Sequence, residues 1–371
     1  MKPLDGIVVL DLTRLLPGAA ATQTLAAFGA EVIKVEEPGT GDYGRMMPPL
    51  VDGMGAVFRQ VNRGKKSIAV NLKTPRGRDL LLGLAQKADV LIEGFRPGVM
   101  KRLGLDAEAL QARNPRLIYA TISGYGQSGP WAGMAGHDIN YMALAGVLDL
   151  IGLPDGAPVI PGVQLADLAG GTLQALIGIL LALAARAKTG RGQRVDVGMM
   201  QGLEALLPVA RAWLGATGAA PERGRQTLSG RYACYNVYQA RDGRWLAVGA
   251  LEPKFWADLC RRLGCEQFVP DQFAEGARQQ EIIAALREIF RQQDSRRWFE
   301  SLKEYDCCVT PVLRLDEAET PAGVAPWLGS TPGRIEGAAP LLGEHTQPVL
   351  REAGVSQQEI DALAREGVIQ G

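Results

Sequence analysis

The stretch Ile7-Val8-Val9-Leu10-Asp11-Leu12 opens the pattern that decides the predicted fold of this chain. It is a short β-branched and apolar run, of the kind that is buried in a parallel sheet. Pro17-Gly18 and a helical stretch from Ala19 to Phe28 follow it, and Glu31-Val32-Ile33-Lys34-Val35-Glu36 then repeats the strand pattern. A strand, a helix and a second strand in this order predict a βαβ unit.

Strand and helix patterns keep alternating beyond this unit. Further strands are predicted at Ser67 to Leu72, Asp89 to Glu93 and Leu117 to Ile122, with helical stretches between them. Such alternation predicts an α/β fold with a Rossmann-like, doubly wound sheet. The turn from Leu15 to Ala21 has one glycine where a dinucleotide fingerprint has three, so the pattern argues against an NAD or flavin cofactor.

The composition changes near Gly218, where a stretch rich in Gly, Ala, Pro and Arg has the character of a linker. We therefore predict a large domain over residues 1–215 and a smaller α+β domain over residues 225–318. The small domain is predicted to begin with a hairpin and to continue with helices. Residues 319–371, rich in Pro and Gly at their start, are predicted to form a return segment.

Charge and cysteine content exclude several classes of protein. The 371 residues carry 40 acidic and 40 basic side chains, so no overall field favours nucleic acid or an anionic membrane. Five cysteines without zinc-ligand spacing predict reduced thiols, a cytoplasmic location and no metal site. The most apolar run, Ala175 to Ala185, is shorter than the ~18 residues that a membrane span requires, so we predict a soluble protein.

Two segments carry the candidate acid–base groups. His137, one of two histidines, stands next to Asp138 and has a side chain that titrates near neutral pH. Asp167 follows about thirty residues later, before Gly170-Gly171 and an apolar helix predicted from Thr172 to Ala187. Taken singly, an aspartate in this place is more often a helix N-cap, and a lone histidine is more often structural. Together the two residues favour a functional site.

Basic residues occur in glycine-bordered loops that we expect to follow successive strands. In open α/β sheets such loops meet at the carboxyl ends of the strands, where ligands bind. Their cations would then be presented to phosphate groups. The candidate residues are Arg45, Arg63, Lys66, Arg96 and Arg102.

Taken together, these motifs resemble the class III CoA-transferase family, which is the carnitine and formyl-CoA transferase superfamily. The resemblance runs almost from end to end, through Phe28–Glu36, Asn62–Ser67, Phe95–Gly98, Thr189–Gln193 and Leu342–Thr346. The α-methylacyl-CoA racemase branch is favoured by Gly136–Tyr141, Arg14–Gly18 and Ala250–Trp256. One departure is Val163, which stands where the racemase pattern has an asparagine.

The resemblance implies an acyl-CoA substrate and an interlocked homodimer, in which the C-terminal segment completes the large domain. His137 and Asp167 would exchange the α-proton of the thioester on opposite faces. Glu252 of the other subunit would orient His137, and the backbone NH of Asp138 would donate to the enolate oxygen. The five basic residues would hold CoA phosphates and Tyr141 would line the CoA channel. No cofactor beyond the CoA moiety is implied.

Two other functions remain open from the sequence. In a CoA-transferase, Asp167 would attack the thioester and carry the acyl group as a mixed anhydride, and His137 would be a bystander or a substrate contact. In a catalytically silent CoA-binding protein, the fold and the basic loops would be kept without turnover. The presence of His137, Asp167 and Glu252 together argues against the silent protein.

Overall fold

The computed structural model describes residues 2–319 and 323–371, which fall into two compact units. The first unit contains residues 2–147, 161–208 and 323–371, and the second contains residues 148–160 and 209–319. The unit boundary thus differs from the predicted one at residue 215. Pro208 accounts for the earlier break, because a proline ends the helical run that precedes it. Residues 320–322 of the predicted return segment lie outside the described residues.

A mostly parallel sheet forms the centre of the first unit. In chain order the strands of the described chain are β1 (Val8–Leu12), β2 (Glu31–Glu36), β3 (Leu50–Val51), β4 (Met54–Gly55), β5 (Lys66–Val70), β6 (Val90–Glu93), β7 (Ile118–Ser123), β8 (Arg194–Gly198), β9 (Tyr235–Gln239), β10 (Trp245–Gly249), β11 (Val309–Pro311) and β12 (Ile369–Gln370). Seven of them form a sheet in the order β12-β5-β2-β1-β6-β7-β8. Only β12 is antiparallel to its neighbour there, and β3 and β4 form a separate hairpin.

Strand β1 lies inside this sheet, where Asp11 pairs in register with Lys34 of β2 and with Ile92 of β6. The sheet strands read as continuous apolar runs because both of their faces are covered, and Leu10 and Leu91 are almost fully buried. Residues of the C-terminal segment share this core, and β12 closes the β5 edge of the sheet. The chain therefore returns to the first unit after leaving it.

The helices of the described chain are α1 (Leu16–Ala27), α2 (Ala56–Val61), α3 (Pro75–Lys87), α4 (Val99–Leu103), α5 (Ala107–Arg113), α6 (Asp138–Leu144), α7 (Gln174–Thr189), α8 (Met199–Gly202), α9 (Pro208–Thr217), α10 (Pro253–Leu263), α11 (Ala277–Phe290), α12 (Ser295–Leu302), α13 (Thr346–Glu352) and α14 (Gln357–Arg365). Short 3-10 turns occupy Tyr43–Met46, Leu148–Leu150, Leu203–Leu206 and Glu266–Asp271. A π-helix, Ala166–Leu173, runs directly into α7.

The π-helix changes the length of the apolar helix predicted from the sequence. Together with α7 it makes a helix of 24 residues, Ala166–Thr189, which by length and composition is apolar enough to cross a membrane. The core helix of a soluble protein satisfies the same criterion, and α7 packs against β7 and β8 of the sheet. The prediction of a run too short for a span was therefore wrong on length.

The second unit is built on an antiparallel sheet in the order β11-β10-β9. Residues Tyr235–Gln239 and Trp245–Gly249 pair as the hairpin that the sequence predicts. Helices α10, α11 and α12 supply a separate core, in which Trp256 and Phe290 are almost fully buried. This unit positions Glu252 at the start of α10.

Candidate active site

Asp167 lies in the first turn of the π-helix, and adjacent glycines fix this helix by close packing. A Cβ atom on Gly170 would lie 2.3 Å from the carbonyl oxygen of Met199. A Cβ atom on Gly171 would lie 3.1 Å from Cβ of Pro17, at the start of α1. Only glycines allow the backbone to approach these neighbours so closely, so the Gly-Gly pair after Asp167 has a packing role.

The carboxylate of Asp138 caps the helix that carries Asp167. Its Oδ1 atom accepts hydrogen bonds from the backbone NH of Ala166 at 2.7 Å and of Asp167 at 2.9 Å. The alternative interpretation of Asp167 as the N-cap was therefore wrong, since another residue satisfies these NH groups. The carboxylate of Asp167 bonds to no residue that the structure describes. It is free to contact a substrate.

The environment of Asp167 raises the pKa of its carboxyl group towards neutral pH. Burial raises its pKa to about 6, the nearby negative charge of Asp138 adds to the rise, and His137 opposes it. A carboxyl group tuned in this way can take or give a proton under physiological conditions. His137 is near enough to act on this titration, so the structure brings the two predicted acid–base segments together.

His137 precedes α6 and is exposed, with its backbone NH donating to Oδ1 of Asn140 at 3.1 Å. The hydroxyl of Tyr141 donates to the carbonyl oxygen of Gly136, and the ring of Tyr141 packs edge-on at 5.0 Å from that of Tyr125. Burial, then the charge of Asp167, raises the pKa of Tyr141 to about 12, so it stays a proton donor. Tyr141 thus anchors the segment before α6 through its bond to Gly136.

Tyr141 also supports the His137 segment. Its side chain is 7% exposed and its hydroxyl bonds within the protein, so it anchors this segment, and its predicted place beside the CoA channel stays a prediction. The backbone NH of Asp138, at the first position of α6, bonds to no described residue. Its predicted donation to an enolate oxygen stays a prediction.

Glu252 lies in the second unit, exposed, at the position before α10. Its charge contributes, after burial, to a raised pKa of Cys308. Cys308 lines a cavity of about 930 Å³ within this unit, together with Tyr235 and Arg287. The predicted contact between Glu252 and His137 of another subunit stays a prediction.

Two of the predicted phosphate-binding residues follow β6 and are available to an anion. Arg96 and Arg102 are exposed and form no ion pair with any residue of the described chain. The charge of Arg96 acts against the raised pKa of Tyr141, which places Arg96 near the His137 segment. Arg96 lies in the loop at the carboxyl end of β6, as phosphate-binding residues of open α/β sheets do, and Arg102 lies in the last turn of α4, which follows that loop.

Arg45 was predicted wrongly as a phosphate ligand. Its Nε and Nη2 atoms donate to the carboxylate of Glu36 at 2.8 and 2.6 Å, and Nη1 donates to the carbonyl of Pro340 at 3.0 Å. Its guanidinium also lies 4.1 Å from the centre of the Phe58 ring. Arg45 is buried, so this cation is part of the interior rather than of a ligand surface.

The loop with Arg63 and Lys66 was also placed wrongly, because it precedes a strand instead of following one. Lys66 is the first residue of β5 and pairs with Glu31 at 2.6 Å and with Glu352 at 3.3 Å. Arg63 donates through Nε to the carbonyl of Gly337 at 3.0 Å. This loop thus belongs to the amino end of β5, not to the carboxyl ends where ligands bind in such sheets.

A cavity that the sequence did not reveal lies at the carboxyl ends of β1, β2, β5 and β6. It measures about 320 Å³ and is lined by Arg14, Lys73 and Asn71 among others. The guanidinium of Arg14 lies 5.0 Å from the ring centre of Tyr43 and 5.4 Å from that of Phe95. The position of Arg14 two residues after the first strand was the available signal in the sequence.

The carboxyl group of Asp167, whose pKa is raised, lies near His137, and Arg96, which forms no ion pair with any described residue, lies near the same segment. Such an arrangement is typical of an enzyme site for an anionic substrate. The chain matches the model of CoA-transferase family III over residues 4–346 and belongs to this family. A CAIB/BAIF family protein from Brucella suis has a similar structure, with a TM-score of 0.83 and 31% identity over 95% of this chain and 99% of that one.

Similar curated proteins have two different reactions in their names. Alpha-methylacyl-CoA racemase of Homo sapiens is 37% identical over 99% of this chain and 97% of its own length. Acetyl-CoA:oxalate CoA-transferase of Acetobacter aceti is 39% identical over 85% of this chain and 82% of its own length. Racemases and transferases are therefore both relatives, and the specific reaction has to be argued from the site.

Proposed function

We propose that this protein is an acyl-CoA racemase or epimerase that interconverts (R)- and (S)-2-methylacyl-CoA thioesters. The observation that carries the proposal is the carboxyl group of Asp167, which is unbonded, has a pKa of about 6 and is tied through Asp138 to the His137 segment. Similarity to alpha-methylacyl-CoA racemase over nearly the whole chain supports the same reaction.

The reaction needs two acid–base groups because the proton leaves one face of the α-carbon and returns to the other. With one enantiomer, ionised Asp167 removes the α-hydrogen and protonated His137 returns a proton to the opposite face. With the other enantiomer the roles reverse, so the pair shares one proton at the start of either direction. The enolate between the two steps is stabilised by the NH of Asp138, an interaction that typically contributes about 3 kcal/mol.

The CoA moiety is held at the carboxyl ends of the parallel strands. Arg96 and Arg102 carry unpaired positive charges for the phosphate groups. The cavity beside Arg14 and Lys73 is the adjoining space for the nucleotide part of the substrate. Phosphate contacts of this kind hold substrate and transition state alike, so they act mainly on the Michaelis constant.

We further propose that the active protein is a homodimer in which Glu252 of one subunit orients His137 of the other. Exposed apolar side chains on the helix that follows Asp167 support the proposal that the partner subunit covers this surface. Leu173, Ile177 and Leu181 are each more than half exposed, at 53%, 51% and 64%. A row of large apolar side chains at helical spacing is typical of a protein interface.

A CoA-transferase is the second candidate, and the free carboxylate of Asp167 also suits it. There the carboxylate attacks the thioester carbonyl, CoA leaves as a thiolate, and a mixed anhydride forms on Asp167. An acetyl-CoA:oxalate CoA-transferase among the relatives favours keeping this alternative.

One experiment distinguishes the racemase from the CoA-transferase. The protein is incubated with each enantiomer of a 2-methylacyl-CoA in deuterated water, with a free carboxylic acid added. We expect deuterium at the α-carbon and inversion of both enantiomers, with inversion lost in His137→Ala and Asp167→Asn. Asp361→Asn is the matched control, since Asp361 is exposed on α14 and contacts Gln357. An anhydride that hydroxylamine traps, without α-deuterium, would establish transfer, and neither product would establish a silent protein.

A further inference from the structure

One aspartate connects the two candidate acid–base segments. Asp138 follows His137 directly in the chain and is the first residue of α6. Its side chain, not its backbone, reaches the segment about thirty residues later and accepts the NH groups of Ala166 and Asp167 on one oxygen. A helix start leaves such NH groups without intrahelical partners, so the cap replaces bonds that the helix cannot make itself.

Resting on the proposed racemase function, we propose that the carboxylate of Asp138 is a positioning residue for proton transfer at Asp167. Through its bond to the NH of Asp167 it sets the distance between the Asp167 carboxyl and His137. Proton transfer requires this distance to be held closely, since a displacement of about 1 Å can cost roughly a hundredfold in rate.

The surrounding residues leave Asp138 as the main group that positions Asp167 relative to His137. The π-helix is already held on its other sides by Pro17 of α1 and Met199 of α8, which carry no charge. The ionisable groups that act on Asp167 from α6 and the residue before it are Asp138, His137 and Tyr141. Of these, only Asp138 bonds to the backbone of the helix that carries Asp167.

The charge of Asp138 has a second consequence beside its geometric one. A like charge nearby disfavours ionisation of Asp167 and adds to the rise in pKa that burial causes. Position and charge can be separated by substitution. In Asp138→Asn the Oδ1 atom still accepts the two NH groups but the charge is gone, whereas Asp138→Ala removes both.

The test compares both variants with wild type and with Asp106→Ala. Asp106 caps α5 by the same kind of bond, to the NH of Ala109 at 3.1 Å, and serves as the control for losing a cap. For Asp138→Ala we expect kcat to fall roughly 10- to 100-fold with little change in KM for the acyl-CoA. For Asp138→Asn we expect a smaller loss and an acid limb of kcat/KM shifted to lower pH by about one unit.

Two further measurements do not depend on turnover. Hydrogen exchange of the peptide over residues 164–170, followed by mass spectrometry, should speed up in Asp138→Ala and stay near wild type in Asp138→Asn. Titration of the Asp167 carboxyl by carbon NMR, assigned with Asp167→Asn, should move to lower pH in Asp138→Asn.

The outcomes distinguish this proposal from the proposed function. Wild-type protein without α-deuterium exchange would reject the racemase, and Asp138 would then be judged by the rate of hydroxylamine trapping at Asp167 and by the two turnover-independent measurements. If Asp138→Ala matches Asp106→Ala in rate, pH profile and peptide exchange, the positioning role is wrong. If Asp138→Ala does not fold, Asp138→Glu takes its place, because it keeps the charge but displaces the accepting oxygen by one methylene group. A wild-type kcat in Asp138→Glu would overturn the positioning role, and an unchanged acid limb and carboxyl titration in Asp138→Asn would reject only the effect of the charge.

Discussion

Removal of His137 should leave a one-sided enzyme whose pH dependence reports Asp167 alone. In His137→Ala no partner donates from the opposite face, so inversion should stop. Asp167 can still remove the α-hydrogen of one enantiomer and return deuterium to the same face. Only ionised Asp167 can begin this exchange, so kcat/KM for α-deuterium incorporation should follow its ionised fraction.

The expected magnitude follows from the raised pKa of Asp167, which is about 6 in the intact site. Such a group is about one-eleventh ionised at pH 5 and about ten-elevenths ionised at pH 7, roughly a tenfold rise. A carboxyl with an ordinary pKa near 3.9 would change by only about a tenth over the same range. Because His137 lowers the pKa of Asp167, removal of His137 should move the acid limb of the pH profile to higher pH.

The assay is α-deuterium incorporation into each enantiomer between pH 5 and 8, read by mass spectrometry with chiral separation of the acyl group. Exchange should be confined to one enantiomer and should vanish in the double variant with Asp167→Asn. A rate independent of pH over this range would refute the assignment of a pKa near 6 to the working carboxyl. Exchange of both enantiomers at similar rates would refute the two-face arrangement itself.

Four further predictions concern binding, the stability contributed by two buried residues, and assembly. Arg96→Ala and Arg102→Ala should each raise KM for the acyl-CoA roughly tenfold with little change in kcat. Arg45→Ala should instead lower the free energy of unfolding in urea by about 3 kcal/mol or more, because it leaves Glu36 buried without its partner. Burial raises the pKa of Glu93 to about 7 from 4.5, so the folded state binds its proton more tightly than the unfolded state. Stability is therefore lost as pH rises from about 4.5 to 7. Glu93→Gln should raise the free energy of unfolding by roughly 3 kcal/mol at pH 8 and by much less at pH 5. Equal effects in urea titrations at both pH values would contradict this prediction. Light scattering should give twice the 39.7 kDa chain mass, and a fully active monomer on dilution would exclude a shared site.

The central strands could be predicted from the sequence because short, locally apolar runs predict buried strands. The run before Asp11 and the run from Glu31 to Glu36 are apolar over most of their length, and the structure places β1 and β2 side by side there. The small-domain hairpin follows from alternating residues around a turn that contains Gly243 in the same way. Local patterns of this kind need no knowledge of distant partners.

The parts of the site that were missed depend on partners far away in sequence. Whether Arg45 is a ligand or an interior cation is decided by Glu36, and the sequence alone does not show that their side chains meet. Asp138 and Asp167 were both identified as candidates, but the bond from one to the backbone of the other joins segments about thirty residues apart. The start of β5 at Lys66 likewise decides to which end of the sheet that loop belongs.

One buried ion pair also bears on the cavity beside Arg14, because Asp42 is among the residues that line this cavity. Lys34 is fully buried and its ammonium group contacts the carboxylate of Asp42 and the carbonyl of Thr13, each at 2.9 Å. The same carboxylate accepts the NH of Leu15 at 3.1 Å, where the backbone has a φ of 61°, a conformation unfavourable for a residue with a side chain. A strained residue keeps such a conformation only where its surroundings hold it, and here an internal ion pair does so. Leu15 adjoins Arg14, whose guanidinium donates to the hydroxyl of Tyr43 at 3.0 Å and lines the cavity together with Asp42. The Lys34–Asp42 pair therefore fixes the backbone directly beside a residue of the cavity lining.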